Sequence, residues 1–421
     1  MNFFWIFLYF LSTVSTEETE TPVDLVNGFI GTLISPRTTV PTHSIVHYPN
    51  GLVRLRSDRE DYATVLIPGI SLGFLNPNEQ SLFLLKPRSN GIHVTRGGNY
   101  TYDNEIVTPY KYSLYLDQQQ IDVTMVPSSR SGICTLEFEL EGPHEISIFA
   151  KSGSFSIVDG AVTGHSSGSQ KMHIYLETEE KPVTSHASGS TATLTFAKEV
   201  KRVSLRWGLS LVSSDAAKAS LHTEIPDYNI TAVETKTRAA WNEALGNVTV
   251  SGGALKDRRL FYTCLYRTYD DLVDIKEHTN HFNTIDGLVH THADTNTPLL
   301  ISLPDENIRV RRLKTNSVAY EESMDSSDYT WQLHSLRAFL LPSLHASLVS
   351  STCTLLHEAH AALAHAENAE QIAESNTNSS NSGIINTNSD EDTDYTNNTV
   401  SADTLRAHIA EEMRMSGGSW A

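Results

Sequence analysis

His357-Glu358-Ala359-His360 sets two imidazoles and a carboxylate within one helical turn, and His365 follows on the same stretch. Zinc hydrolases use two histidines four residues apart on one helix face, with the intervening glutamate as general base. Here the separation is three and no further ligand is suggested downstream, so the segment reads as a polar helix face. A denser set lies in HTNHFNTIDGLVHTHAD (278–294), with His278, His281, His290, His292, Asp286 and Asp294. Its loop-like composition suits a polar surface loop or, alternatively, a site for a cation or polar ligand.

Carboxylate pairs offer a second chemistry. Inverting cleavage of a glycosidic bond needs one acid to protonate the leaving oxygen and one base to activate water, about 6.5–9.5 Å apart. The candidates are Asp270, Asp271 and Asp274 on an expected helix at 254–274, and Glu321, Glu322 and Asp325 before the next helix. Solvated helix faces, or charges near a helix N-terminus, are the competing reading of both clusters. The sequence contains no glycine-rich phosphate loop, no G-x-S-x-G elbow and no Cys–His nucleophile pattern.

The elements that would carry these residues follow from composition and periodicity. A chain of 421 residues is long enough for two domains. Its formal charge of −19 argues against a nucleic-acid partner, because counterion release needs clustered Lys and Arg. KDRR (256–259) and RVRRLK (309–314) are the densest basic patches, and both read as solvated faces. The apolar run Phe3–Leu11 is too short to span a bilayer and, with the small residues after it, fits a signal peptide over 1–16. A secreted protein, or one of the endomembrane or lysosomal lumen, is expected, with no membrane span. The sequons at Asn99, Asn229 and Asn247 agree as candidate glycosylation sites in the globular part. Three cysteines allow at most one internal disulfide.

From Val23 to Val212 the chain alternates in the manner of strands. Examples are Leu136, Phe138 and Leu140 in ICTLEFELEG, Ile121, Val123 and Met125 in QIDVTMV, and Val203, Leu205, Trp207, Leu209 and Leu211 in the last strand. Turn clusters separate these runs, which predicts a large antiparallel sandwich over 23–212. Ser213-Ser214-Asp215 then opens helical composition, and 213–253 reads as linker helices. Residues 231–245 are expected to bury Ala232, Ala239, Trp241 and Leu245. ALKDRRLFYTCLYRTYDDL (254–272) reads as a strong helix, with Leu260, Cys264, Leu265 and Leu272 among its apolar positions. Another helix is expected from Ser327 to Leu348. Residues 351–421 read as an Ala-rich helix and a polar, low-complexity tail without the apolar residues to fold.

The order of these features resembles glycoside hydrolase family 92, the calcium-dependent exo-acting α-mannosidases. VDLVNGFIGT (23–32) is similar to the family's opening, with Gly28 where proline is usual, and PTHSIVHYPNGLVRL (41–55) to the segment after it. TPYKYSLYLDQQQIDVTMVPSSRSGICTLEFE (108–139) matches a strand and turn of the family sandwich. The best match is VSLRWGLSLVSSDAAKASLHTEIPD, followed by WNEALGNVTVSGG and RRLFYTCLYR. The resemblance implies an α+β multidomain fold, in which a large antiparallel β-sandwich and linker helices lead into an incomplete (α/α)6 barrel over 254–350.

The activity implied is removal of terminal mannose from glycans, with inversion and with Ca²⁺. The family's S-L-W-D-T-x-R segment falls on Trp331-Gln-Leu-His-Ser-Leu-Arg337, where Arg337 is kept and His334 stands in place of the aspartate. His43, His334 and Arg337 are the substrate-binding candidates. The family's general acid, general base and calcium ligands come from later in the barrel, where this sequence has the Ala-rich helix and tail. No catalytic residue or metal ligand is therefore assigned, and the chain alone is expected to be inactive. The alternatives are a non-catalytic glycan-binding or interaction module, with mannose-containing glycans as partners, and a remnant without function.

Overall fold

The structure is a computed structural model that describes residues 20–32, 43–59, 66–74, 81–89, 98–167, 170–291, 298–302 and 326–380, with Asp403 and Arg406. The expected leader, RVRRLK, His292, Asp294, Glu321, Glu322, Asp325 and nearly all of the chain after Ser380 lie outside the described residues.

Two antiparallel sheets face each other. The smaller joins β4 (Ile70–Gly73), β5 (Phe83–Ser89), β10 (His144–Ala150), β14 (Thr184–Ser188) and β15 (Thr191–Phe196). The larger has nine strands in the order β11-β12-β13-β16-β9-β8-β7-β6-β3. These are β3 (Leu66–Ile67), β6 (Tyr100–Val107), β7 (Tyr112–Leu116), β8 (Ile121–Pro127), β9 (Ser131–Phe138), β11 (Gly153–Val158), β12 (Ala161–Ser167), β13 (Lys171–Thr178) and β16 (Arg202–Ser210). A short ribbon, β1 (Val46–His47) paired with β2 (Arg54–Leu55), completes the sandwich side. One continuous apolar cluster fills the space between the sheets, as period-two alternation requires of strands that each bury one face.

Strand β16 shows how the sandwich leads into the helices. Val203, Leu205, Trp207 and Leu209 are all buried on one side, and the Trp207 indole N–H donates to the Leu72 carbonyl of the facing sheet at 3.0 Å. The opposite face of β16 is covered by α1 (Ser214–Glu224), so nearly the whole strand is buried. Ser213 caps this helix by accepting from the Ala216 amide at 3.1 Å. The backbones meet at Gly208, where an added Cβ would lie 2.1 Å from the Ala217 carbonyl oxygen.

Helix α2 (Ile230–Gly246) buries Val233, Thr237, Trp241 and Leu245, a stripe of i, i+4 spacing, so Trp241 and Leu245 behave as expected while Ala232 and Ala239 face solvent. Helix α3 is Leu255–Arg267, shorter than expected, and it buries Tyr262, Thr263, Leu265 and Tyr266. Leu260 and Cys264 are exposed, because aromatic rings rather than aliphatic side chains fill the contact with the sandwich. The chain leaves the helix before Asp270, Asp271 and Leu272. It enters β17 (Leu272–Asp274), which pairs with β21 (Leu300–Ser302).

Of HTNHFNTIDGLVHTHAD, which reads as loop-like, the described residues 278–291 supply two strands of a small sheet: β18 (Lys276–Glu277) precedes them, followed by β19 (Asn280–Phe282) and β20 (Val289–Thr291). The last described helices are α4 (Ser326–Leu340) and α5 (Pro342–Ser380). The single helix expected over 327–348 is broken at Leu341–Pro342, since proline cannot donate to the preceding turn. The chain therefore consists of a sandwich, linker helices and the first helices of a helical barrel. Phe339 on α4 is 83% exposed. All three cysteines are free.

Gly208→Ala should lower stability by about 1–3 kcal/mol, because the clash is with backbone and α1 must lift to relieve it. Urea unfolding checks this as a fall in the midpoint without a change in slope.

Candidate functional site

The sandwich meets the helices where α3 ends. Just beyond α3 two arginines, Arg54 and Arg337, donate to the carbonyls of the turn, and a third, Arg267, ties the helix end to other loops. Arg54 of β2 donates to the carbonyls of Asp270 and, at 2.8 Å, Leu272. Arg337 of α4 donates to the Thr268 carbonyl at 3.1 and 2.5 Å and also pairs with Asp271. Arg267 reaches back to the carbonyls of His43, Gly28 and Ile30, the Gly28 contact at 2.9 Å, and holds Asp270 Oδ2 at 3.1 Å. Arg54 and Arg337 are almost wholly buried. Cations at a helix C-terminus also meet the negative end of its dipole.

Aromatic rings close the same joint. Trp241 packs 4.6 Å from Tyr266 and stands edge-on to Tyr269 at 5.4 Å and to His47 at 5.1 Å. Its indole N–H donates to the His47 carbonyl at 2.6 Å, and the Tyr266 hydroxyl donates to the Ile45 carbonyl at 2.6 Å. These bonds give the buried indole and phenol each a partner.

Asp270 and Asp271 divide the candidate sugar contacts between them. Asp270 lies against His47, at 3.2 Å from Nε2, and within electrostatic reach of His43. Burial opposes its charge, yet the Arg267 guanidinium and the His47 contact prevail and hold it below the usual aspartate range. Asp271 acts in the same way on His334. His43 is half-buried, and burial together with Arg56 and Arg267 pushes its pKa down to about 3. His334 is lowered by burial, then by Arg337 and by His345, whose ring lies 5.6 Å away. Both imidazoles are thus neutral near pH 7, each with one donor and one acceptor, which suits a sugar hydroxyl. The Arg337 guanidinium instead faces backbone and Asp271.

Two motifs singled out separately meet in space. Glu358, from His357–His360, accepts from His281 Nε2 at 2.8 Å, and Asn283 Nδ2 donates to the Leu355 carbonyl at 2.9 Å. His290 pairs with Asp286 at 2.8 Å, and its ring stacks 5.7 Å from that of His281. These groups fasten α5 to the small sheet. Asp274, also a candidate acid, accepts from the amides of Lys276 and Leu299, both at 3.1 Å, and faces Arg130.

Calcium takes about six to eight oxygen ligands. Among the described residues no group of three or more His, Cys, Asp or Glu is arranged to hold a metal. The acids of the joint are committed to arginine and histidine, and those beside α5 to histidine. The described residues do not fit a calcium site, and no step is routed through one. No helix among them is long and apolar enough to cross a membrane. Of the sequons, Asn229 caps α2 through Oδ1 on the Ala232 amide at 3.1 Å, and Asn247 Nδ2 donates to the Glu243 and Ala244 carbonyls. Asn99 precedes β6 and is half-buried.

Solved structures share this arrangement. An inverting GH92 mannosidase from Bacteroides thetaiotaomicron VPI-5482 aligns with TM-score 0.59 and 18% identity, over 68% of this chain and 44% of its own. The GH92 glycosyl hydrolase ccman5 aligns with TM-score 0.62 and 20% identity, over 79% and 49%. A GH92 α-mannosidase from Bacteroides thetaiotaomicron gives TM-score 0.57 and 17% identity, over 67% and 45%. The described part of the chain has the fold of the corresponding part of these structures. The chain spans just under half the length of these relatives. An uncharacterized secreted glycosidase of Arthroderma benhamiae is 35% identical over 71 residues, 16% of this chain and 9% of that protein. The model of the glycosyl hydrolase family 92 catalytic domain matches residues 216–392.

Sequence reasoning did not single out Arg54 or Arg267, because an arginine in a short strand or at a helix end carries no pattern of its own. Arg54→Ala should destabilise the joint by about 2–5 kcal/mol, since it strips two buried carbonyls of their donor. A second expectation concerns pH. The unfolded chain protonates His43 below about pH 6.5 and the folded chain does not. Stability should therefore fall as pH drops from 6.5 toward 3. His43→Gln should flatten that limb in urea titrations at fixed pH steps.

Proposed function

We propose that this protein acts on α-linked mannose at the non-reducing ends of glycans, in the manner of the inverting, calcium-dependent mannosidases it resembles. The observation that carries the reading is the catalytic-domain match over 216–392, which begins in the helix leaving the sandwich. The joint fits this use. His43 comes from the sandwich side and His334 from α4, and both are neutral hydrogen-bonding groups beside Asp270 and Asp271. Arg337 contributes by fixing Asp271 and the turn after α3. General acid, general base and calcium ligands are not assigned among the described residues.

A second reading is a glycan-binding module without turnover. It is favoured by His334 standing in the family's aspartate position. Secretion, and use of Asn99, Asn229 and Asn247 as glycosylation sites, belong to the same proposal. They rest on the leader over 1–16 and the sequons.

Incubation with 4-nitrophenyl α-mannoside and α-mannobioses tests it, with NMR to read the anomer released. Release of β-mannose that chelation abolishes and Ca²⁺ restores is the outcome expected of the mannosidase. His43→Ala and His334→Ala should then reduce kcat/KM by about tenfold each, as loss of one hydrogen bond to the sugar predicts. Retention on mannan without release would establish the binding module instead. Neither release nor retention would sink both readings.

A further inference from the structure

Asn27-Gly28 and Asn50-Gly51 are the Asn-Gly pairs among the described residues. In such a pair the glycine amide nitrogen can attack the asparagine side-chain carbonyl, because no side chain on the glycine shields it. The fold treats the two pairs differently.

Asn27 is exposed and opens a turn in which the Ile30 amide donates to its carbonyl at 3.2 Å. Among the described residues the Gly28 amide has no hydrogen-bond partner, so its nitrogen can give up a proton without breaking a bond of the fold. Asn27 Oδ1 accepts from the Phe29 amide at 3.0 Å. That donor faces the oxygen on which negative charge develops when the side-chain carbonyl is attacked, as in an oxyanion hole.

Asn50-Gly51 is arranged against the same reaction. Gly51 is buried, and its amide donates to the Tyr48 carbonyl at 2.8 Å. Asn50 Oδ1 is buried without a donor, so charge developing there is unsupported. Reaction at Asn50 has to await local opening of the β1–β2 ribbon.

We infer that Asn27 is a site of spontaneous deamidation in the folded protein, and that the isoaspartate formed there loosens the N-terminal segment from α3. The Gly28 nitrogen loses its proton to solvent and bonds to Asn27 Cγ. The Cγ–Nδ2 bond breaks, and Nδ2 leaves as ammonia with a proton from solvent. Water then opens the cyclic succinimide. Cleavage of the new bond yields aspartate, and cleavage of the original peptide bond yields isoaspartate, whose main chain runs through the former side chain. Water is the sole co-reactant.

The consequence falls on the joint. The Asn27 amide donates to Thr263 Oγ1 of α3 at 3.0 Å, and the Gly28 carbonyl accepts from Arg267 at 2.9 Å. Gly28 is packed so closely that an added Cβ would lie 2.5 Å from Val107 Cγ1. A main chain lengthened by a carbon atom cannot keep Gly28 in that space with its carbonyl on Arg267. The Ile30 amide also loses its acceptor, because the Asn27 carbonyl becomes a free carboxylate. The inference does not rest on the glycan reading.

Peptide mapping of the full chain tests it. Tryptic cleavage at Arg37 and Arg54 places Asn27 and Asn50 in separate peptides. The protein is aged at mildly alkaline pH, folded and in denaturant, with isoaspartate told from aspartate by electron-transfer fragmentation. In denaturant both sites should convert at similar rates. On folding, Asn27 should keep its rate to within about threefold, whereas Asn50 should slow by more than about tenfold. Equal slowing of the two sites, or no conversion at Asn27, would refute the inference. Hydrogen exchange of amides 28–32 should be about tenfold faster in the isolated isoaspartyl form than in unaged protein. Unchanged exchange would sink the loosening. Asn27→Gln, aged alongside, should keep the exchange of unaged protein, and loosening in that variant too would place the cause elsewhere.

Discussion

Peptide carbonyls in the turn that follows α3 cannot be buried without donors, and the arrangement of the molecule depends on who supplies them. Arg54 supplies one set from the sandwich and Arg337 another from α4, while Arg267 extends in the reverse direction to the loops at Gly28, Ile30 and His43. Guanidinium groups suit this work because five N–H donors in a rigid fork can serve several carbonyls at once. Lysine in any of the three places would satisfy fewer oxygens and pay a larger desolvation cost. Three segments far apart in sequence are thereby tied to one turn of chain.

That constraint explains why the candidate acids have the character they do. Asp270 and Asp271 lie in the turn the arginines hold, so each is drawn into an ion pair or a histidine contact, and neither projects from a helix face. Asp270 is kept ionised despite burial, and His43 and His334 are kept neutral first by burial and then by the neighbouring guanidinium groups. A single electrostatic environment thus yields a charged acceptor flanked by neutral hydrogen-bonding groups. This mixture can recognise hydroxyl-rich ligands without demanding an ionic one.

Around α5 the same economy of pairing decides a different outcome. His281, His290, Asp286 and Glu358 have the residue types of a metal site, yet they are joined as two His–carboxylate pairs whose rings stack. Asn283 adds a backbone tie to the Leu355 carbonyl, and Ser351 accepts from the Leu300 amide at 2.9 Å. Their combined effect is to fix a long helix to a small sheet, the role polar residues take when too little apolar surface is available at a contact.

The sandwich was legible in the sequence because strand periodicity is local. Val203, Leu205, Trp207, Leu209 and Leu211 declare one buried face without reference to any other part of the chain, and Ser213 declares the helix start by its capping chemistry. Trp241 and Leu245 were likewise readable from their spacing. The limits of α3 were not, because its last apparent turn is claimed by β17 and by arginines more than sixty residues away. Nor could the sequence pair His281 with Glu358 or His47 with Asp270, since each contact joins segments with no shared pattern. Local alternation and capping are set by neighbours along the chain. Which carbonyls, carboxylates and imidazoles share a proton or a guanidinium is set by distance in space, and only the tertiary structure decides that.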